Sequence, residues 1–280
     1  MSTFTLSWTA ADGTTTALSR ANGLLITKGP VGLDAPPVQN ALSQFTTTDG
    51  ASLGQQRYPE RNIALPMFVE HPTRVATRIA ELARMVRQPG TLTRTDDTTT
   101  RQLRRVIYSG GLEGDLSTAA SPVWRRLVLS LVALDPFWYG PTSTQALTIG
   151  TGTGFDDAVS FDAGVPFDGG LATSISVDGD LGAFPVFSIT GPATTLVVTD
   201  GTDAWQIAAA LSSGQTLTID TRPTTQGPRL GSGGVDWSLL TEASRLFELR
   251  SGTSSLIAAA SGTSAATSVT VSWESRWLTP

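Results

Sequence analysis

A single histidine, His71, and no cysteine set the limits on what this chain could catalyse. Without thiols there are no disulfides and no thiolate metal sites. One imidazole leaves almost no material for Ser-His or Cys-His nucleophilic pairs or for histidine-based metal centres. His71 stands directly before Pro72 at an expected helix start, so it reads as a helix-start or surface residue rather than a base. The 24 acidic residues offer carboxylate pairs in number. Most sit in turn contexts such as Asp178-Gly179 and Asp200-Gly201, where local hydrogen bonding to the backbone accounts for them. Phe155-Asp156, Phe161-Asp162 and Phe167-Asp168 recur every six residues, with Val159 and Val165 between them. A carboxylate ladder for calcium is the chemistry such a run could supply. Calcium loops, however, gather several oxygens in one tight glycine-turned loop. The favoured reading is therefore an extended connection whose phenylalanines anchor it while its aspartates face water. The sequence holds no phosphate loop, dinucleotide fingerprint or zinc spacing, and the expectation is a non-enzyme without metal or cofactor.

Two residue sets could serve contacts instead. Nearly all positive charge is arginine, with Lys28 the one lysine, a bias that reads as GC-rich coding. Arg74, Arg78, Arg84 and Arg87 lie off the apolar stripe of the expected helix, and Arg101, Arg104 and Arg105 open the strand after it. The plain reading is a solvated face. The sharper one makes Arg74, Arg78, Arg84, Arg101 and Arg104 a contact between subunits. Trp205 and Trp237 are candidates for stacking on a sugar ring, although Trp205 alternates with apolar neighbours as core residues do.

The elements that would position these groups are mostly strands. At 280 residues, with 40% hydrophobic and 15% charged residues, the chain is long enough for two folded domains. Charge splits unevenly: residues 1–140 carry +3 and residues 141–280 carry −8, together the −5 of the whole. Neither half is basic enough for nucleic acid. The opening Met-Ser-Thr-Phe-Thr-Leu-Ser-Trp lacks the basic start and apolar core of a signal peptide, so none is expected, and no apolar run reaches the roughly 20 residues of a membrane-crossing helix.

Phe4, Leu6 and Trp8 alternate before an Asp12-Gly13 turn, and Leu24-Leu25-Ile26 is extended. Loops surround a short pairing strand near residues 38–46. Ile63, Leu65, Met67 and Val69 alternate cleanly, with Pro66 expected where its missing N–H is not needed, at an edge or bulge. Val75, Ile79, Leu82 and Val86 form one helical stripe, giving a helix over residues 72–88 that Gln88-Pro89-Gly90 ends. The run from Leu127 to Leu134 is apolar on both faces, which reads as a strand covered on both sides, with a buried helix as the alternative that periodicity leaves open. It stops at Asp135-Pro136, followed by Phe137-Trp138-Tyr139. This predicts an α+β first domain over 1–140, an extended connection over 141–185 and a jelly-roll sandwich over 186–280. Strands are expected in the last part at 186–189, 194–199, 204–207, 215–219, 245–249, 254–258 and 268–273.

This order of features resembles the distal tail proteins of long-tailed bacteriophages. The resemblance is carried by the core strand ending in Asp135-Pro136-Phe137-Trp138-Tyr139, the opening strand Pro185-Val186-Phe187-Ser188-Ile189-Thr190-Gly191, and the segments Leu217-Thr218-Ile219-Asp220-Thr221-Arg222 and Phe247-Glu248-Leu249-Arg250-Ser251-Gly252. It implies a structural virion protein at the tail tip, assembled in the host cytoplasm. The first domain would close a hexameric ring and the second, galectin-like domain would project outward. The implied partners are other copies of the chain, the tail tube protein and the baseplate hub, with tape measure and receptor-binding proteins nearby. Catalytic residues are not part of that family's pattern, nor is the Phe-Asp repeat. A carbohydrate-binding adhesion module and a tube subunit are the alternatives.

Overall fold

Period-two patterning runs through most of the sequence, and strands make up most of the fold. The computed structural model describes residues 4–45, 48–113, 121–150 and 172–280; the Phe-Asp repeat lies outside the described residues. Two units emerge, Met1–Pro141 with Trp277–Pro280, and Thr142–Arg276.

In the first unit, β1 (Thr5–Thr9) folds back on β2 (Thr15–Ala17) through the Asp12-Gly13 turn and pairs on its other edge with β7 (Gly90–Thr95). β7 pairs with β8 (Thr100–Gly110), and β8 in turn with β9 (Trp124–Ala133). β9 pairs along its whole length with β6 (Arg61–Glu70), whose far edge holds β3 (Leu24–Ile26). All these pairings are antiparallel. Leu24, Ile63, Leu65, Met67, Leu103, Leu129 and Leu131 enter one buried core, which Trp8 and Trp138 complete. Both Thr27 N and Thr27 Oγ1 donate to the Pro66 carbonyl. Residue 66 therefore faces the β3 side one position beyond the last β3 pair, Ile26 with Met67, where no ladder bond needs a proline N–H.

The helix α1 spans Val75–Met85, shorter at both ends than the expected 72–88. The amides of Thr73 and Arg74 donate to Nδ1 of His71, which caps the start in place of a helical turn. This is the helix-start role expected of that residue. Val75, Leu82 and Val86 are buried beneath the helix.

The strand β4 (Gln39–Gln44) pairs with β5 (Ala51–Arg57), a segment without apolar alternation that the sequence did not mark as a strand. The two form a sheet of their own in which every residue is exposed. A second difference concerns β9. Its Leu129, Leu131 and Ala133 are buried, but Trp124 and Val128 on the opposite face are 41% and 47% exposed. The expectation of cover on both faces is therefore not met among the described residues: the core fills one side, and Trp124 and Val128 stand exposed on the other.

The second unit is a two-sheet sandwich. One sheet runs β17 (Gly227–Leu230), β16 (Thr216–Asp220), β13 (Val186–Thr190), β19 (Ser268–Trp277), with the end of β10 (Trp138–Leu147) beside β19. The other runs β15 (Ala204–Gln206), β14 (Thr195–Thr199), β18 (Gly252–Ser261), with β11 (Ile149–Gly150) and β12 (Ala172–Val177) along the far edge of β18. Phe187, Ile189, Leu217, Val269 and Val271 from the first sheet meet Ile175, Leu196, Val198 and Leu256 from the second in one core.

Leu147, Ile175, Val177 and Ala183 are buried in that core, so the described parts of 141–185 are integral to the sandwich rather than an extended connection. Alternation at Thr173, Ile175 and Val177 makes β12 a strand, with Ala172, Ser174 and Ser176 exposed. Conversely, residues 245–249 form no strand; Leu249 makes one isolated bridge to Ala183.

Candidate subunit interface

The arginines marked by the sequence separate into two groups. Arg101 and Arg104 are engaged within the chain. The guanidinium of Arg101 donates to the Thr279 carbonyl at 2.7 Å and lies 3.8 Å from the centre of the Trp277 ring. Arg104 sits over Tyr139 at 4.9 Å, and the Tyr139 hydroxyl donates to Asp135 at 2.6 Å. Cation–π stacking of this kind contributes about 0.5–1 kcal/mol where the ring is still wet. These contacts hold Arg101 and Arg104 in place within the chain.

The helix arginines differ. Arg74 and Arg84 are exposed, Arg84 donating only to the Ala80 carbonyl one turn back. Arg78 is half-buried, pairs with Glu81 at 2.7 Å, and lies against Gly23 of the loop before β3. It supports the helix as well as facing outward.

A residue the sequence reading passed over holds more together than any of these. Arg61 is 1% exposed. Its guanidinium donates to the carbonyls of Leu33 at 3.1 Å and Leu278 at 3.1 Å, and also to that of Asp34. Trp138 stacks beside it, its indole N–H also donating to Leu33. Burial pulls the Arg61 pKa down to about 10, with the Asp34 charge opposing the shift, so the group stays charged at neutral pH. Arg61 shares the parity of Ile63, Leu65 and Met67, and that inward parity was the available signal.

The tryptophans also divide. Trp205 is fully buried in the sandwich, 5.1 Å from Phe187 in an edge-to-face contact, so it has no face for a sugar, as its apolar neighbours foreshadowed. Trp237 is 53% exposed in a short 3-10 turn, Trp237–Leu239, capped by Asp236.

The segments that carried the resemblance hold the fold. At the end of β16, Asp220 is 3% exposed and accepts from Arg222 and the Thr225 hydroxyl, each at 2.7 Å. Burial works against its ionisation, but those bonds, the Arg222 amide and the Arg222 charge outweigh it and hold the carboxyl below its ordinary value. Glu248 pairs with Arg276 of β19, and Ser251 donates to the Gly179 carbonyl. Among the described residues, no group of three or more His, Asp or Glu side chains is placed to hold a metal ion, and no helix is long and apolar enough to cross a membrane.

The fold, a mainly β first unit with one helix followed in sequence by a two-sheet sandwich, is similar to that of solved phage tail and baseplate proteins. It matches the crystal structure of the SPP1 Dit protein (gp 19.1), described as a paradigm of the hub adsorption apparatus in phages infecting Gram-positive bacteria, with a TM-score of 0.70 and 16% identity over 98% of this chain and 99% of that one. The phage P2 baseplate in its activated conformation with calcium matches at TM-score 0.55 and 11% identity, covering 98% of each chain. The strontium form matches at 0.53 and 12%, over 96% and 98%. No family model matches the chain, and neither does any curated protein sequence.

Proposed function

We propose that this chain is a structural protein of a phage tail tip, a subunit of a hexameric ring that adapts the tail tube to the baseplate hub and adhesion apparatus. The carrying observation is that one fold match spans both units, 98% of this chain and 99% of SPP1 Dit. A shared sandwich alone would leave the role open; the pairing of the two units supports it. The first unit forms the ring and the sandwich projects from it. Arg74, Arg78 and Arg84 on α1 face acidic groups of the adjacent subunit. The partners are other copies, the tube protein and the hub, and the role requires no catalysis or cofactor.

A ring needs two different surfaces that meet head to tail and close. The account predicts that the purified protein scatters light as a six-chain particle. A tube subunit would give filaments of increasing mass. One exposed aromatic, Trp237, supports a sugar-binding reading of the sandwich; sugar-array binding that a Trp237→Ala substitution abolishes would favour it.

A further inference from the structure

In the first unit, the turn at Arg20, the end of β6, the start of β9 and α1 enclose an open cavity of about 440 Å³, within the ~300–1,000 Å³ usual for small-molecule sites. Its walls carry Arg20, Glu70, His71, Arg78 and Trp124.

Each guanidinium on those walls already has a carboxylate. Arg20 pairs with Glu70 at 3.6 Å and Arg78 with Glu81 at 2.7 Å. These charges cancel in pairs, so the lining holds no excess positive charge to draw an anion. What it offers is hydrogen bonding. Arg78 commits Nη1 to Glu81 and has no partner for Nη2 among the described residues. Nδ1 of His71 accepts from the amides of Thr73 and Arg74, which places the ring proton on Nε2, where it can be donated. Glu70 adds acceptor oxygens.

Trp124 adds an apolar plane. It is 41% exposed, and Phe68 stacks against it with ring centres 5.4 Å apart and planes 23° apart. Phe68 thus supports one face of the indole, and the other face is left for a ligand.

We infer that this cavity binds a neutral saccharide. A sugar ring has an apolar C–H face that can lie on an indole, and hydroxyls that both donate and accept. The guanidinium and imidazole N–H groups meet hydroxyl oxygens, and the Glu70 carboxylate meets hydroxyl hydrogens. An acidic peptide fits less well, because its carboxylate would have to displace Glu70 or Glu81 from the arginine each holds. The lining comes from one unit of one chain, so the site does not depend on ring formation. It also belongs to a different unit from the exposed Trp237.

The test is calorimetric titration of the full chain with maltose, cellobiose and N,N′-diacetylchitobiose at millimolar concentration. At least one should bind, with the same affinity in dilute buffer and in high salt, as an uncharged ligand does. Trp124→Ala should weaken that binding about tenfold through loss of the stacking plane, and Trp124→Phe should weaken it less. Arg20→Ala should weaken it too; the Arg20 side chain is 78% exposed, so this variant keeps the fold if Trp124→Ala does not. Trp237→Ala should bind as the wild type does. Binding that survives in Trp124→Ala and Arg20→Ala would overturn the inference, as would silence from all three sugars. Binding of the peptide acetyl-Asp-Phe-amide in place of the sugars, weakened by salt and by Trp124→Ala, would overturn it in favour of a protein partner. None of these outcomes bears on the ring reading, which the particle mass tests separately.

Discussion

The guanidinium of Arg61 donates to the carbonyl of Leu278, 3.1 Å away in space and 217 positions away in sequence. Strand β6 is thereby tied to the returning segment Trp277–Pro280, which belongs to the first unit. Arg61→Ala leaves the carbonyls of Asp34 and Leu278 without this donor, while Leu33 keeps its bond from Trp138, and each unsatisfied buried group costs roughly 1–3 kcal/mol. A loss of about 3 kcal/mol or more is expected, read as a lower urea midpoint. Removing residues 277–280 should reproduce part of it.

Acid should weaken both units. Asp96 is held at about 2 by the Thr99 hydroxyl, the Thr99 amide and the Thr98 amide, and Asp220 lies below its ordinary value for the reasons above. Both carboxyls are depressed in the folded state. Their stabilisation is thus present above the unfolded value near 4 and lost as pH falls toward the folded one. Melting temperature should drop from about pH 4 toward pH 2. The slope should be shallower in Asp220→Asn, which has no charge there to lose.

Gly90 is a close-approach glycine. A Cβ there would sit 2.5 Å from the Trp8 ring and 2.7 Å from the Thr9 carbonyl oxygen, and Trp8 is pinned by its N–H bond to Met85. Gly90→Ala should cost about 1–3 kcal/mol by overpacking, measured by thermal melting.

The two tryptophans marked together as sugar-stacking candidates should behave oppositely. Trp205→Ala empties a buried site and should cost about 3–5 kcal/mol. Trp237→Ala should change stability by less than about 0.5 kcal/mol. Chemical denaturation of both variants checks the pair.

The helix arginines make a separable forecast. Arg74→Glu with Arg84→Glu should leave the melting temperature alone while reducing ring assembly, because both side chains are exposed. Arg78→Glu should also lower the melting temperature, since it breaks the Glu81 pair. Light scattering beside calorimetry distinguishes the two effects, and added salt should weaken the wild-type assembly in the same direction.

Where a strand had one wet and one dry face, its pattern was readable: Ile63 to Val69 in β6 and Thr195 to Thr199 in β14 were both legible from their alternation. The misreadings have physical causes. β5 carries a single large apolar residue, Leu53, and forms through backbone pairing with β4, which leaves no alternation to read. β12 is rich in Ser and Thr, which masked the buried Ile175 and Val177. The outer face of β9 looked covered because it is apolar, yet burial within one chain does not account for that. At the candidate interface, the exposure of Arg74 and Arg84 agreed with their place off the helix stripe. The locking of Arg101 onto Trp277 and Thr279 spans more than 170 positions, beyond the reach of any local pattern.

Electron microscopy of the purified particle tests the central claim most directly. The account predicts closed rings with six-fold symmetry. Open filaments, or single chains at every concentration and with tube protein added, would contradict it.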